Sequence, residues 1–114
     1  MNNKGEGAER RAASFLESKG LTIVARNWRG RYGEIDLIAR EGGTLVFVEV
    51  RSRKSNAFGG AVASIAGAKQ QKLTRTALQY LATLKRTPPC RFDAVLLAGE
   101  DGPVEWIQGA FSAG

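Results

Sequence analysis

The apolar positions of the chain follow two different periods, and the switches between them mark the elements. Over residues 8–19, Ala12, Phe15 and Leu16 recur at helical spacing with Lys19 behind them, and Gly20 stops the run. Residues 21–27 then alternate, with Leu21, Ile23 and Ala25 on one side, which predicts a strand. Arg29, Gly30 and Arg31 make a basic loop after it. Two β-prone runs follow, 33–41 and 44–53, separated only by Gly42-Gly43, a two-residue hairpin signal.

With those glycines as the turn, Glu41 faces Thr44 and the rest of the register follows. Ile35 then faces Val50, Leu37 faces Val48 and Ala39 faces Val46, so one face is apolar throughout and the register supports itself. The other face pairs Arg40 with Leu45, Ile38 with Phe47, Asp36 with Glu49 and Glu34 with Arg51. It starts apolar at the tip and ends charged at the open end.

Residues 52–60 read as a polar, glycine-containing loop, and 64–86 as a long helix with Leu73, Ala77, Tyr80, Leu81 and Leu84 on one stripe. Thr87-Pro88-Pro89 ends that helix. A strand over 91–98, a turn at Glu100-Asp101-Gly102 and a short strand over 104–107 complete the chain. The order α-β-β-β-α-β-β predicts an α/β fold with a central mixed sheet flanked by helices. At 114 residues it is expected to be one domain with a flexible start over residues 1–7.

Composition narrows the chemistry. Cys90 is the only cysteine and histidine is absent. An intramolecular disulfide, a thiolate zinc site and any mechanism built on imidazole are thereby excluded. No run reaches the 18 or so apolar residues of a membrane span, so the expectation is a cytoplasmic protein without leader or membrane contact. Seventeen basic residues against 11 acidic give a net charge of +6, which favours polyanionic partners, nucleic acid first.

The expected Asp36–Glu49 pair is the feature that needs a reason. Opposed like charges destabilise a sheet pair and raise one another's pKa unless a cation intervenes. A hard divalent ion, bound through oxygen and lowering the pKa of its water, is one answer. A solvated charged face is the other, with Glu34–Arg51 as a surface ion pair, or with Arg51 neutralising Glu49 without metal.

The segments Gly33-Glu34-Ile35-Asp36-Leu37-Ile38 and Val46-Phe47-Val48-Glu49-Val50-Arg51 resemble the YraN-like family of uncharacterised bacterial proteins. The resemblance extends to Ala8-Glu9, Asn27-Trp28-Arg29, Phe58-Gly59, Lys69-Gln70, Arg91-Phe92-Asp93 and Ala110-Phe111. That family is similar to archaeal Holliday junction resolvases, which implies the restriction-endonuclease-like, PD-(D/E)xK fold. In that fold an acid on the first helix, an Asp and an E-x-K form the site. By resemblance Glu9 matches the helix acid, Asp36 the Asp and Glu49 the Glu, while Arg51 stands where the Lys would be. Arginine stays protonated, so Arg51 cannot act as a base, though it can stabilise charge on a phosphate.

The implied function is divalent-metal-dependent endonuclease cleavage of DNA, branched or junction DNA included, with RNA left open. Asp36, Glu49 and the Val50 carbonyl would hold Mg²⁺ or Mn²⁺, with Glu9 assisting through a water. A homodimer is implied by the resolvases, where two sites cut two strands. A nucleic-acid-binding adaptor that does not cut is the first alternative, and a plain protein-interaction domain the second.

Other residues carry paired readings. Lys69 either snorkels past the core or reaches the active face, and Gln70 is a weaker candidate for that face. Arg26, Arg29, Arg31, Arg53 and Lys54 are the candidate phosphate contacts. Trp28 either stacks on a base or, as preferred, packs against a helix. Trp106 and Phe111 are assigned to core or subunit interface, Asp93 to a structural role near Arg91, and Glu6 to the helix start.

Overall fold

A computed structural model of the chain describes residues 4–53, 67–99 and 101–111. Its elements are α1 (Lys4–Ser18), β1 (Thr22–Arg29), β2 (Glu34–Glu41), β3 (Thr44–Arg53), α2 (Gly67–Leu81), β4 (Cys90–Ala98) and β5 (Val104–Phe111). The five strands form one sheet in chain order. All neighbours are antiparallel except β3 and β4, which run parallel, from Leu45 beside Cys90 to Arg53 beside Ala98. A parallel pair needs a crossover, and α2 lies on it. The fold is therefore α/β with a mixed sheet between two helices, compatible with the restriction-endonuclease-like fold.

Each sheet face has its own core. Ala12, Ala13 and Leu16 of α1 pack on Leu37, Ala39, Val46, Val48, Val95 and Leu97. Leu73, Ala77 and Leu81 of α2 pack on Ile38, Leu45, Phe47, Phe92, Ala94 and Leu96. Strand alternation explains the division, since both faces of the central strands are apolar and need a cover.

Several boundaries differ from those the pattern predicts. α1 begins at Lys4, so residues 4–7 are helical rather than a flexible start. Gly5 and Gly7 are poor helix formers that hide this extension, which propagates from the packed turns behind it. Its end follows the expectation: Gly20 adopts φ 96, and the Leu21 and Gly20 amides donate to the Leu16 and Glu17 carbonyls at 3.1 and 3.0 Å. α2 stops at Leu81, five residues short of Arg86, because Thr83 and Leu84 turn their amides onto the carbonyls three residues back. The expected start of α2 at 64, the 54–60 part of the loop, Phe58-Gly59, Lys54 and Glu100 lie outside the described residues. β5 runs on to Phe111, four residues past the expected end, where Phe111 stacks on Phe92 at 4.7 Å.

The central hairpin keeps the expected register for five pairs, from Glu41–Thr44 to Leu37–Val48, with Gly42 at φ 59 in the turn. Beyond them it departs. The 35–50 pair would exchange both backbone bonds in a continued ladder. Instead the Val50 amide donates to Asp36 Oδ2 at 2.8 Å. Ile35 joins the α2-side core while Val50 packs on the α1 side, so the expected Ile35–Val50 core pair does not form.

Candidate metal centre

The break in the hairpin creates the site. Where β2 leaves β3, the Asp36 carboxylate takes the place of a strand carbonyl and is held at the sheet's own level. Glu49 sits on the face covered by α2, two residues along β3 from the buried Phe47, and is itself only 4 % exposed. Glu9 approaches from α1, near enough for its charge to act on Asp36.

Electrostatics bind these three acids into one unit. The Asp36 carboxyl is pushed up to about 8, first by burial and then by the negative charge of Glu49. The Val50 amide opposes the shift, while the charge of Glu9 and a hydrogen bond with Glu49 add to it. Burial and the neighbouring acids thus favour the neutral form of Asp36.

Two cations have also been brought in, both to the same oxygen. Lys69 Nζ lies 3.1 Å and Arg51 Nε 3.2 Å from Glu49 Oε2. Lys69 thus reaches Glu49 from the first turn of α2. Arg51 pairs with Glu49 rather than with Glu34, and Glu34 instead sits 3.7 Å from Arg29 across the β1–β2 ladder. Gln70 is half-buried beside Lys69 on the same helix.

The donor set suits a hard divalent ion. Asp36 offers a carboxylate that ionises easily only beside a positive charge. A strand residue points its amide and carbonyl to the same edge, so the Val50 carbonyl opens toward Asp36 along with the amide that bonds it. Among the described residues, no three acidic, thiol or imidazole side chains close into a cage. Two carboxylates and a carbonyl with water in the remaining positions is the arrangement these residues can supply.

The remaining candidates divide. Arg26, Arg29 and Arg31 are exposed on β1 and the turn after it, at the same end of the sheet as Asp36. The side chain of Arg53 and all of Lys54 are outside the described residues. Trp28 packs edge-on to Tyr80 of α2 at 5.3 Å, the preferred of its two readings. Trp106 packs edge-on to Phe15 at 6.1 Å and belongs to the core, as does Phe111. Asp93 is fully buried and structural. It accepts from Arg91, from Trp106 Nε1 at 2.9 Å and from the Gly109 amide at 3.0 Å.

Two contacts escaped the sequence. Gln79 Oε1 accepts from the Arg31 amide at 2.8 Å, and Arg75 lies over the Tyr32 ring at 5.5 Å. An aromatic closing the Arg29-Gly30-Arg31-Tyr32 tip was the available signal for the second; nothing local announces the first.

The family model described as "Uncharacterised protein family UPF0102" matches residues 8–97. A UPF0102 protein of Nitrosomonas europaea is 56% identical over 110 residues, covering 96% of this chain and 93% of its own. One from Nitrosomonas eutropha is 54% identical over 112 residues, covering 98% and 96%. A third, from Methylobacillus flagellatus, is 52% identical over 114 residues, covering 99% and 100%.

Proposed function

The chain belongs to the uncharacterised family UPF0102, the YraN-like proteins, and from that premise and the site's geometry we propose that it is a divalent-metal-dependent endonuclease acting on DNA. The observation that carries the reading is the meeting of Asp36 with the buried Glu49 at the break in the hairpin, where burial first and then the charge of Glu49 push the Asp36 carboxyl up to about 8. A sheet that retains such a clash at an otherwise well-paired hairpin favours a cation as its partner.

In this reading Asp36, Glu49 and the Val50 carbonyl hold Mg²⁺ or Mn²⁺. The ion would lower the pKa of a bound water and offset charge on the attacked phosphate. Glu9 acts from α1 through a water, in keeping with the reach of its charge to Asp36. Arg51 and Lys69, both within reach of Glu49, steady the phosphate oxygens. Arg26, Arg29, Arg31, Arg53 and Lys54 position the duplex through its backbone. Branched or junction DNA and a homodimer belong to the same proposal, as does a reducing compartment in which the lone Cys90 stays a thiol.

One observation favours a second reading. Glu49 is already neutralised by two cations, an arrangement that suits a nucleic-acid-binding adaptor that does not cut. Labelled four-way junction, flap, single-stranded and duplex DNA, incubated with Mg²⁺ or Mn²⁺ beside Glu49→Ala, separates the two. Cutting by wild type alone is the expected result. Binding without cutting under both metals would establish the adaptor instead.

A further inference from the structure

We propose that the β1–β2 turn is a nucleic-acid contact in its own right, in which Tyr32 stacks on an unpaired base while Arg29 and Arg31 hold the flanking phosphates. This rests on the nucleic-acid reading above and names its substrate class: strands that present bases outside a duplex.

Tyr32 is 43 % exposed, and it is the aromatic among the large apolar side chains left open in the described residues. Trp28, Tyr80, Phe47, Phe92 and Phe111 are consumed by ring-on-ring packing under α2. Arg75 of α2 lies over the Tyr32 ring at 5.5 Å, which leaves the remaining ring surface to solvent beside a fixed positive charge. An aromatic platform inside a basic frame is the arrangement that takes single-stranded nucleic acid without regard to sequence.

The turn is also held in place. The Gly30 amide donates to the Gly33 carbonyl at 2.8 Å, and the Arg31 amide donates to Gln79 Oε1 of α2 at the same distance. Gly33 itself seats against the buried Thr76. A platform tied to a helix at several points loses little freedom when a base settles on it. Around it the charges are arranged outward: the Arg29 side chain is 79 % exposed, and Arg31 and Arg26 are exposed as well. Tyr32 precedes Asp36 by four residues, so at most about 14 Å of chain separates them. One bound strand can therefore meet both places.

The test is fluorescence anisotropy in EDTA, with a labelled oligothymidylate, a fork with unpaired arms and a blunt duplex. Tyr32→Ala is expected to weaken the single strand and the fork about 5-fold or more, leaving the blunt duplex and every salt slope unchanged. Tyr32→Trp should bind as wild type does, which separates stacking from a folding defect. Arg31→Gln should weaken all three and flatten each salt slope by about 0.7 to 0.9. Equal losses on duplex and single strand, or no loss at all, would overturn the stacking site. If wild type cuts DNA while Tyr32→Ala binds normally, this site falls alone. If binding depends on Tyr32 but no strand is cut, the nuclease reading falls alone.

Discussion

At the scale of single residues, two aspartates of the sheet, the half-buried Asp36 and the buried Asp93, have opposite fates. Asp93 is saturated by Arg91, Trp106 and the Gly109 amide, so its charge is part of the fold. Asp36 has one backbone amide and two acidic neighbours, and its carboxyl is raised to about 8. The sign of its effect on stability follows from that direction. Below about pH 4 both folded and unfolded chains hold the proton, and the native preference is complete. As pH rises toward 8 the unfolded chain ionises freely while the folded one resists, so stability falls across that window. Melting temperatures in EDTA should decline from pH 5 to 8, and Asp36→Asn should flatten the decline. Mn²⁺ should recover the loss at pH 8 in wild type and leave Asp36→Asn unmoved. A flat wild-type profile would mean that Asp36 ionises without penalty, and the main argument for a metal would go. Glu49 invites a second measurement, because Lys69 and Arg51 share one of its oxygens. Lys69→Met or Arg51→Met alone leaves a partner and should cost about 1 kcal/mol in urea unfolding without metal. Together they strand a buried carboxylate and should cost about 3 kcal/mol or more. Simple additivity would show that each cation acts for itself.

At the scale of elements, the turn and the first five pairs of the central hairpin were legible because Gly42-Gly43 and period-two alternation are local signals. The break at Asp36 was not, because a side chain replaces a backbone acceptor there, and no pattern of apolar residues encodes which acceptor an amide will take. The Asp36–Glu49 neighbourhood survives this error, since both readings put the two acids at the open end. The parallel β3–β4 pairing lay beyond local periodicity for a different reason: it joins segments separated by the whole of α2. Asp93 shows how such long-range pairing is secured. It sits where the β4–β5 register shifts between Phe92 and Ala94, and its bonds to Trp106 and Gly109 tie the displaced strand back. Arg91, also held by Glu41 at 2.7 Å, extends the tie toward the hairpin. Asp93→Ala should therefore cost about 3–5 kcal/mol by urea unfolding while leaving the Mn²⁺ response at Asp36 intact below the new melting point. Loss of the metal response in a folded Asp93→Ala protein would assign Asp93 to the site instead of the frame.

At the scale of the molecule, charge and topology converge on one end of the sheet. β1 and β2 turn there, β3 carries Arg51 and Arg53 toward it, and the first turn of α2 returns to it with Lys69. Glu49 is buried and Asp36 half-buried at this end, and Arg26, Arg29 and Arg31 stand exposed around it. On the proposed nucleic-acid reading, this exposed basic group is where phosphates would dock. Counterion release then sets a quantitative expectation. If Arg26, Arg29, Arg31, Arg53 and Lys54 each neutralise one phosphate, log affinity for blunt duplex in EDTA should fall against log salt with a slope of about −4.5. Replacing Arg26 and Arg29 with Gln should bring that slope to about −2.7 and weaken every duplex sequence alike. Reversing Lys85 or Arg86, beyond the far end of α2, should leave it nearly unchanged. A slope near zero for wild type would take away the polyanion as partner, and the basic rim would then be explained by solubility alone. A steep slope shared equally by changes at both ends would place the duplex across the whole surface, with no preference for the end where Asp36 lies.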